Sequence, residues 1–544
     1  MSNKSRPLDR RFFLKSSALS LGSATLLPAP SWAQGAPALI TSDAERPVAA
    51  QGLSFGDPTA NAMMVWSRSD RPARMLVEWS LDDSFSRVHK LIGPYALETT
   101  DYTVRQDLVG LPAGRDVFVR VQFQGLDNAR SLSEPVLGRF TVPSLKARDI
   151  RFVWSGDTAG QGWGINTSFG GMKIYEAMRQ REPLFFIHSG DNIYADGPIP
   201  ETATAENGQL WTNIVTPEVS KVAETLDEYR GRYRYNLLDE NVRRFNAEVP
   251  QIWQWDDHEV VNNWSDAKDL SADARFTEKN VPLLVARGAR AFLDYAPMRP
   301  FSAQESQRVY RRFGHGPDLD VFVLDMRSYR GPNSYNRQTE ASDATAFLGR
   351  EQLDWLKAEL AASKATWKVI AADMPIGLLV GDGTDAEGRA RFEAVANGDG
   401  PVLGREFEFA ELLRHLKRQH VRNVVWLTAD VHYCAAHYYD PSKAQFQDFD
   451  PFWEFVAGPL NAGTFGPNAL DNTFGPQVVF QKAPPAGQAN WSPYAGFQFF
   501  GEINIDAHDA SMTVDLRDLD GVSVFSKTLR PQGERGEHGG HRRA

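Results

Sequence analysis

Four short segments collect residues that hold and use metal ions. They are Ser155-Gly156-Asp157-Thr158-Ala159-Gly160, His188-Ser189-Gly190-Asp191-Asn192-Ile193-Tyr194-Ala195-Asp196-Gly197, Trp255-Asp256-Asp257-His258-Glu259-Val260-Val261-Asn262-Asn263 and Thr428-Ala429-Asp430-Val431-His432. A single strand-end aspartate is more often a helix N-cap than a ligand. Four such segments, each following its own apolar run, form a pattern. Asp, Asn and Tyr offer oxygen to hard cations, and imidazole suits Zn, Fe or Cu. Gly156 and Gly190 allow the sharp turns that aim Asp157 and Asp191 into a common crevice. Without cations, carboxylates converging in this number would repel one another and raise their own pKa values.

The elements that must position these residues are legible on either side of them. From Asp149 onward apolar strands alternate with helical stretches, which predicts an α/β layer. The strand candidates are Ile150–Ser155, Leu184–His188, Gln251–Trp255, Leu319–Leu324, Trp367–Ala372 and Val424–Thr428. Leu353, Leu356 and Leu360 make one apolar helical face between two of them. Several strands run straight into an acidic turn, and the crevice outside strand C-termini is where α/β sheets bind ligands. Earlier in the chain, Met63–Trp66, Met75–Trp79 and Val117–Phe123 are short strand-like runs with no catalytic cluster among them. They predict a fibronectin- or immunoglobulin-like β-sandwich that packs against or positions the rest. Pro198–Leu238 and Asp440–Gly496 are expected to be loop-rich walls or lids. Gly381–Gly388 lacks the Gly-Lys-Ser/Thr of a phosphate loop and is expected to be a plain loop.

The expected organisation is an export signal over 1–33, a β-sandwich over 34–147, a catalytic domain over 148–530 and a flexible polar tail over 531–544, in which His538 and His541 carry no metal. Arg10-Arg11 followed by Phe12-Phe13-Leu14-Lys15, a weakly apolar run and small residues before Gln34 has the form of a twin-arginine signal. That run is too short and too rich in Ser and Gly to span a bilayer, so stable membrane insertion is not expected. A formal charge of −10 argues against a nucleic-acid partner, since phosphate contacts need clustered Lys and Arg. With one cysteine, Cys434, no intrachain disulfide is available, and that thiol is expected to be a buried packing group. His188 is expected to support a ligand rather than be one. Arg327 is a candidate for bidentate phosphate contact or for a structural salt bridge.

The order Gly-Asp, Gly-Asp-x-x-Tyr, Asp-Asp-His-Glu-x-x-Asn-Asn and Ala-Asp-x-His resembles the calcineurin-like metallophosphatases, and more narrowly the PhoD-type alkaline phosphatase and phospholipase D family. Leu324-Asp325-Met326-Arg327-Ser328-Tyr329-Arg330, Ala372-Asp373-Met374-Pro375 and Phe452–Pro459 support the resemblance. It implies a layered α/β/β/α sandwich behind an N-terminal β-sandwich, exported by the twin-arginine machinery to the periplasm or beyond. It also implies that Asp191 bridges two metals, Tyr194 ligates a ferric ion, and Asp157, Asp430 and His432 complete the shell. Asp257 then serves the second metal, Asn262 and Asn263 act as ligands or as amides behind them, and His258 polarises phosphate or protonates the leaving oxygen. The implied metals are Fe3+ and Ca2+, with Zn2+ or Mn2+ as alternatives. The chain carries Asp157 where some members have a cysteine ligand, and Ala159 where the wider superfamily has histidine.

The expected reaction is hydrolysis of small phosphate esters by in-line attack of a metal-activated water or hydroxide, so no Ser or Cys nucleophile is required. His258, Asp257 and Arg327 are the expected catalytic residues. One alternative is a preference for diesters, as in a phosphodiesterase or phospholipase D. Another is a non-catalytic periplasmic protein that binds metal or phosphate.

Overall fold

The computed structural model of the protein describes residues 45–533, so the signal over 1–33 and the tail's His538 and His541 lie outside the described residues. The N-terminal part contributes β1 (Leu53–Thr59), β2 (Ala62–Arg68), β3 (Ala73–Ser80), β4 (His89–Ala96), β5 (Thr103–Val109), β6 (Asp116–Gly125) and β7 (Val136–Thr141). β1, β2 and β5 face the four-stranded sheet β4-β3-β6-β7. Alternation puts Met75 and Val77 of β3 and Val117, Val119, Val121 and Phe123 of β6 on one face, packed against Leu53, Phe55, Met63 and Val65. This is the sandwich expected from the strand-like runs.

The second part adds β8 (Ile150–Ser155), β9 (Phe186–Ser189), the hairpin β10 (Thr202–Thr204) and β11 (Leu210–Thr212), β12 (Gln251–Gln254), β13 (Arg311–His315), β14 (Leu319–Val323) and β15 (Trp367–Ala371). A second hairpin, β16 (Gly381–Thr384) and β17 (Ala390–Phe392), is followed by β18 (Val424–Thr428), β19 (Cys434–Tyr439), β20 (Phe452–Val456), β21 (Pro476–Lys482), β22 (Phe499–Ile505), β23 (Met512–Asp518) and β24 (Ser523–Leu529). The helices are α1 (Lys173–Arg179), α2 (Leu226–Asn236), α3 (Glu240–Asn246), α4 (Val281–Tyr295), α5 (Arg350–Ala362) and α6 (Glu406–Arg418).

Two mixed sheets stack face to face. One runs β24-β23-β22-β8-β9-β12-β1-β2-β5 and the other β13-β14-β15-β18-β20-β19-β21. Phe152, Trp154, Ile187 and Ile252 of the first meet Val321, Val369, Val425, Leu427 and Phe455 of the second in an apolar layer. The opposite faces are covered by helices. Leu353, Leu356 and Leu360 of α5 and Phe409, Leu412 and Leu413 of α6 pack on Phe322, Ile370 and Trp426. Ile174 and Met178 of α1 and Val242 and Phe245 of α3 cover Val153 and Phe186. Each fully buried side chain of this size contributes about 1.5–3 kcal/mol. Cys434 is buried in the intersheet layer, as expected of a packing thiol.

The sandwich is joined to the catalytic sheet by hydrogen bonding. β1 pairs in parallel with β12 at Gly56 and Gln251. A Cβ at Gly56 would lie 2.4 Å from the Pro297 carbonyl oxygen and 2.8 Å from that of Gln251, so only glycine permits this approach.

Three expected loops are more structured than their composition suggests. Pro198–Leu238 contains β10, β11 and α2, whose N-terminus is closed by Thr225 and Glu228 in a reciprocal capping box. Asp440–Gly496 contains β20 and β21, both in the second sheet. Gly381–Gly388 opens the hairpin β16–β17.

Candidate metal centre

β8, β9 and β12 run parallel, as do β14, β15, β18 and β20, so their C-terminal ends deliver the acidic turns to one edge. Each turn is sharp. Asp157, Asp191, Asp430 and His432 take left-handed φ values of 64°, 50°, 67° and 59°. Such conformations cost about 1–3 kcal/mol each and persist where the surroundings over-determine them. Here the turns lock together, with the Asp157 N–H donating to the Gly190 carbonyl and the Thr158 N–H to that of Asp191.

The turns create two ligand-like groups. Asp157, Asp191 and His432 place one ligand atom each within 4.8 Å of one another, and so do Asp191, Asp257 and His258. Asp191 belongs to both. The Tyr194 hydroxyl lies 2.8 Å from His432 Nε2, which puts the phenol at the first group. Asp257 Oδ1 lies 3.9 Å from His258 Nε2 at the second. Asp430 stands outside both groups, near enough to feel the charges of Asp256, Asp257 and Asp157.

The electrostatics call for cations. Burial, then mutual repulsion among neighbouring carboxylates, holds Asp157, Asp191 and Asp430 well above the usual carboxylate range. Burial and the charges of Asp191 and Asp157 hold the Tyr194 phenol well above its usual value. Asp157 Oδ2 is buried without a hydrogen-bond partner. Burial lowers His432 to about 4, so it is a neutral imidazole, and its Nδ1 is engaged by the Gly463 carbonyl. That contact fixes the tautomer and leaves Nε2 as the donor atom facing Tyr194 and Asp157. Neutral imidazole, orphaned carboxylate oxygen and phenol together make a donor set that fits bound cations.

His258 is tuned differently. Burial alone would lower it, but the Asp196 and Asp257 carboxylates outweigh that and raise it to about 9. Its Nδ1 lies 2.6 Å from Asp196 Oδ1, and its backbone N–H donates to Asp191 Oδ1 at 3.1 Å. The Asp196 and Asp257 carboxylates favour the protonated ring, which stands beside the Tyr194 ring at a centroid distance of 4.4 Å.

Two expected site residues are placed elsewhere. Arg327 is fully buried and ion-paired with Asp256, Asp373 and Glu393. These contacts are those of the salt-bridge alternative. The Asn262 side chain is exposed, and the residue is held by its backbone N–H, which donates to Asp196 Oδ2. Its neighbour Asn263 donates its N–H to Asp257 Oδ2 and its amide to Gly381 O and Asp382 Oδ1. His188 bonds Thr158 Oγ1 through Nε2 at 2.8 Å, as a supporting residue.

Residues not singled out from sequence carry much of the positioning. Glu259 is fully buried and accepts from the N–H groups of Asp191, Asn192 and Asp256, tying the second and third turns together. Arg232 of α2 donates to the carbonyls of Tyr194 and Gly197. Asp196 holds both His258 and Asn262. Asp196 and Glu259 stand inside the second and third motifs, but residue type alone gives neither a positioning role. Nothing local marks Arg232.

The chain matches a family model described as PhoD-like phosphatase over residues 152–516, and one for the N-terminal domain of that family over 34–143. It is 26% identical over 443 residues to alkaline phosphatase D of Bacillus subtilis (strain 168), covering 78% of this chain and 71% of the relative. A solved structure of PhoD superposes with a TM-score of 0.63 at 19% identity, covering 90% of this chain and 93% of that one. Purple acid phosphatase PPD1 from yellow lupin (Lupinus luteus) seeds superposes at 0.53 with 13% identity, covering 89% and 74%. These two show the same layered metallophosphatase fold.

Proposed function

The chain belongs to the PhoD-like phosphatase family and is a metal-dependent phosphoesterase, and from that premise we propose that it hydrolyses both monoesters and diesters with an Fe3+–Ca2+ pair. The observation that carries this reading is the placing of Asp191 beside both Asp157–His432 and Asp257, with His258 next to the second pair as a proton donor and not a ligand. Bound cations supply neutralisation of the phosphate oxygens and acidification of a water. Asp157, Tyr194 and His432 would hold one cation, Asp257 the other, and Asp191 both. The Tyr194 phenol, kept protonated by its acidic surroundings, favours a strongly Lewis-acidic ion such as Fe3+. All-oxygen ligation through Asp191 and Asp257 suits Ca2+.

His258 is cationic, and the Asp196 contact at Nδ1 holds its ring so that Nε2 is free to donate a proton to the leaving oxygen. Arg327 keeps Asp256, and through it the Asp257 turn, in place without touching substrate. The Arg10-Arg11-Phe12-Phe13-Leu14-Lys15 segment supports export through the twin-arginine machinery to the periplasm or beyond. Among the described residues no helix is long and apolar enough to cross a membrane.

The test is metal analysis and visible spectroscopy of protein purified without chelator, with rates on an aryl phosphate and its bis-aryl ester. The expected result is bound iron and calcium, turnover of both esters, and a broad tyrosinate band that Tyr194→Phe removes. Asp191→Ala is expected to lose both metals and turnover. Wild-type rates in Asp191→Ala would overturn the site, and iron-free active protein would overturn the ferric assignment.

A further inference from the structure

Behind the metal-bearing turns lies a small cavity of about 40 Å³, with a mostly apolar wall broken by a few polar side chains. Its walls include Ser54 and Trp66 of the N-terminal sandwich, Tyr233 of α2, and Thr158, His188 and Asn192 from the metal-bearing turns. The lining is unusual for so deep a position. Ser54 Oγ, Tyr233 Oη, Asn192 Oδ1 and His188 Nδ1 are buried and make no hydrogen bond to protein. Each of these residues is about 3% exposed. A buried polar atom left unpaired costs about 1–3 kcal/mol, so four lining one space are not left without partners.

The cavity has the size of a water site, and its few unpaired polar atoms supply the partners. A buried water needs roughly 10–15 Å³ of such space and 2–4 polar partners, so about three waters fit. Hydroxyls that donate or accept, an amide oxygen that accepts and an imidazole nitrogen that does either can all be satisfied by them. An apolar ligand would strand the same four atoms.

We propose that this chamber binds a small cluster of ordered waters through which the N-terminal sandwich positions the metal-bearing turns. The cluster links Ser54 to Asn192 and His188. Asn192 follows Asp191 directly and donates its side-chain amide to Gln254 O and Glu259 Oε1. His188 holds Thr158, which follows Asp157. Ser54 thus acts as a positioning residue by way of water, and the sandwich has a part in the metal site that direct contact does not give it. The inference rests on the location of the metal centre proposed above, but its first test needs no activity.

That test is a high-resolution crystal structure of the full chain, in which at least two ordered waters are expected to bond Ser54 Oγ, Tyr233 Oη, Asn192 Oδ1 and His188 Nδ1. A dry chamber, or one filled by a side-chain rearrangement, would overturn the proposal whatever the enzyme's substrate. The second test compares Ser54→Thr with its near-isostere Ser54→Val. Ser54→Val is expected to release metal to a chelator roughly 3- to 10-fold faster and to lower kcat with little change in KM. Ser54→Thr, which keeps the hydroxyl, is expected to restore both. Equal behaviour of the two variants would reduce Ser54 to packing and overturn the positioning role. Tyr233→Phe supplies an independent hydroxyl deletion with the same expected outcome.

Discussion

His258 shows how much a single side chain's role depends on its neighbours. Its imidazole is raised to about 9 by Asp196 and Asp257 against the pull of burial, and Asp196 also fixes its ring. Asp196→Asn keeps the shape and removes the charge. It is expected to lower kcat/KM on an aryl phosphate about 10- to 100-fold, the usual cost of losing an outer partner of a metal site, with metal content retained. Full activity in that variant would remove Asp196 from the mechanism. Glu406, at the start of α6 and away from the centre, offers a cleaner pH effect. Burial and the charge of Asp471 raise it from 4.5 to about 8. The stability of the protonated folded form is fully present below about pH 4.5, declines as the unfolded chain ionises, and is lost as pH rises through about 8. Glu406→Gln is therefore expected to flatten the fall of stability across that window, as read by urea midpoints at several pH values. An unchanged slope would show that Glu406 ionises normally.

At the scale of elements, the turns after parallel strands do the work of alignment, and they tolerate little. Gly160 ends the first motif with its Cα against the Tyr194 ring, and a Cβ there would lie 2.1 Å from the ring's Cγ. Gly160→Ala is expected to push Tyr194 off His432 and to reduce kcat by at least about tenfold, since small misplacements at a reacting centre are costly. A wild-type kcat would mean that Tyr194 has room to move without consequence. The α2 segment illustrates why such elements hide in sequence. Its run Tyr229-Arg230-Gly231-Arg232-Tyr233-Arg234-Tyr235 has no apolar stripe, yet the residues through Tyr233 are buried. Arg230 pairs with Asp294 and Arg232 with the carbonyls of Tyr194 and Gly197, partners that lie far away in the chain.

For the whole molecule, the seam between sandwich and catalytic sheet matters most. β1 continues the catalytic sheet through β12, and the water chamber lies beside that seam, lined by Ser54 and Gln251. Gly56→Ala would force a Cβ into the Pro297 and Gln251 carbonyls. The expected cost is about 1–3 kcal/mol, seen as a lower urea midpoint, with faster metal loss because the seam supports the turns. An unchanged midpoint would show that the two layers part at little cost.

Local signals in the sequence were enough to mark the strands, because apolar runs of strand length end in Gly-Asp or Asp-Asp turns whichever way the chain is later packed. They also marked Asp157, Asp191, Asp257, His258 and His432, whose chemistry is carried by residue type and by position at a strand end. Tertiary structure alone decided that Asp191 is shared by two groups, that Asp430 stands apart from both and that Arg327 is locked among Asp256, Asp373 and Glu393. It also decided that Glu259 serves as a cap for backbone N–H groups and that the sandwich joins the catalytic sheet at Gly56. The physical reason is the same in each case. Whether a charged group meets metal, substrate or an opposite charge depends on partners tens to hundreds of residues away, and burial sets the energy of that meeting.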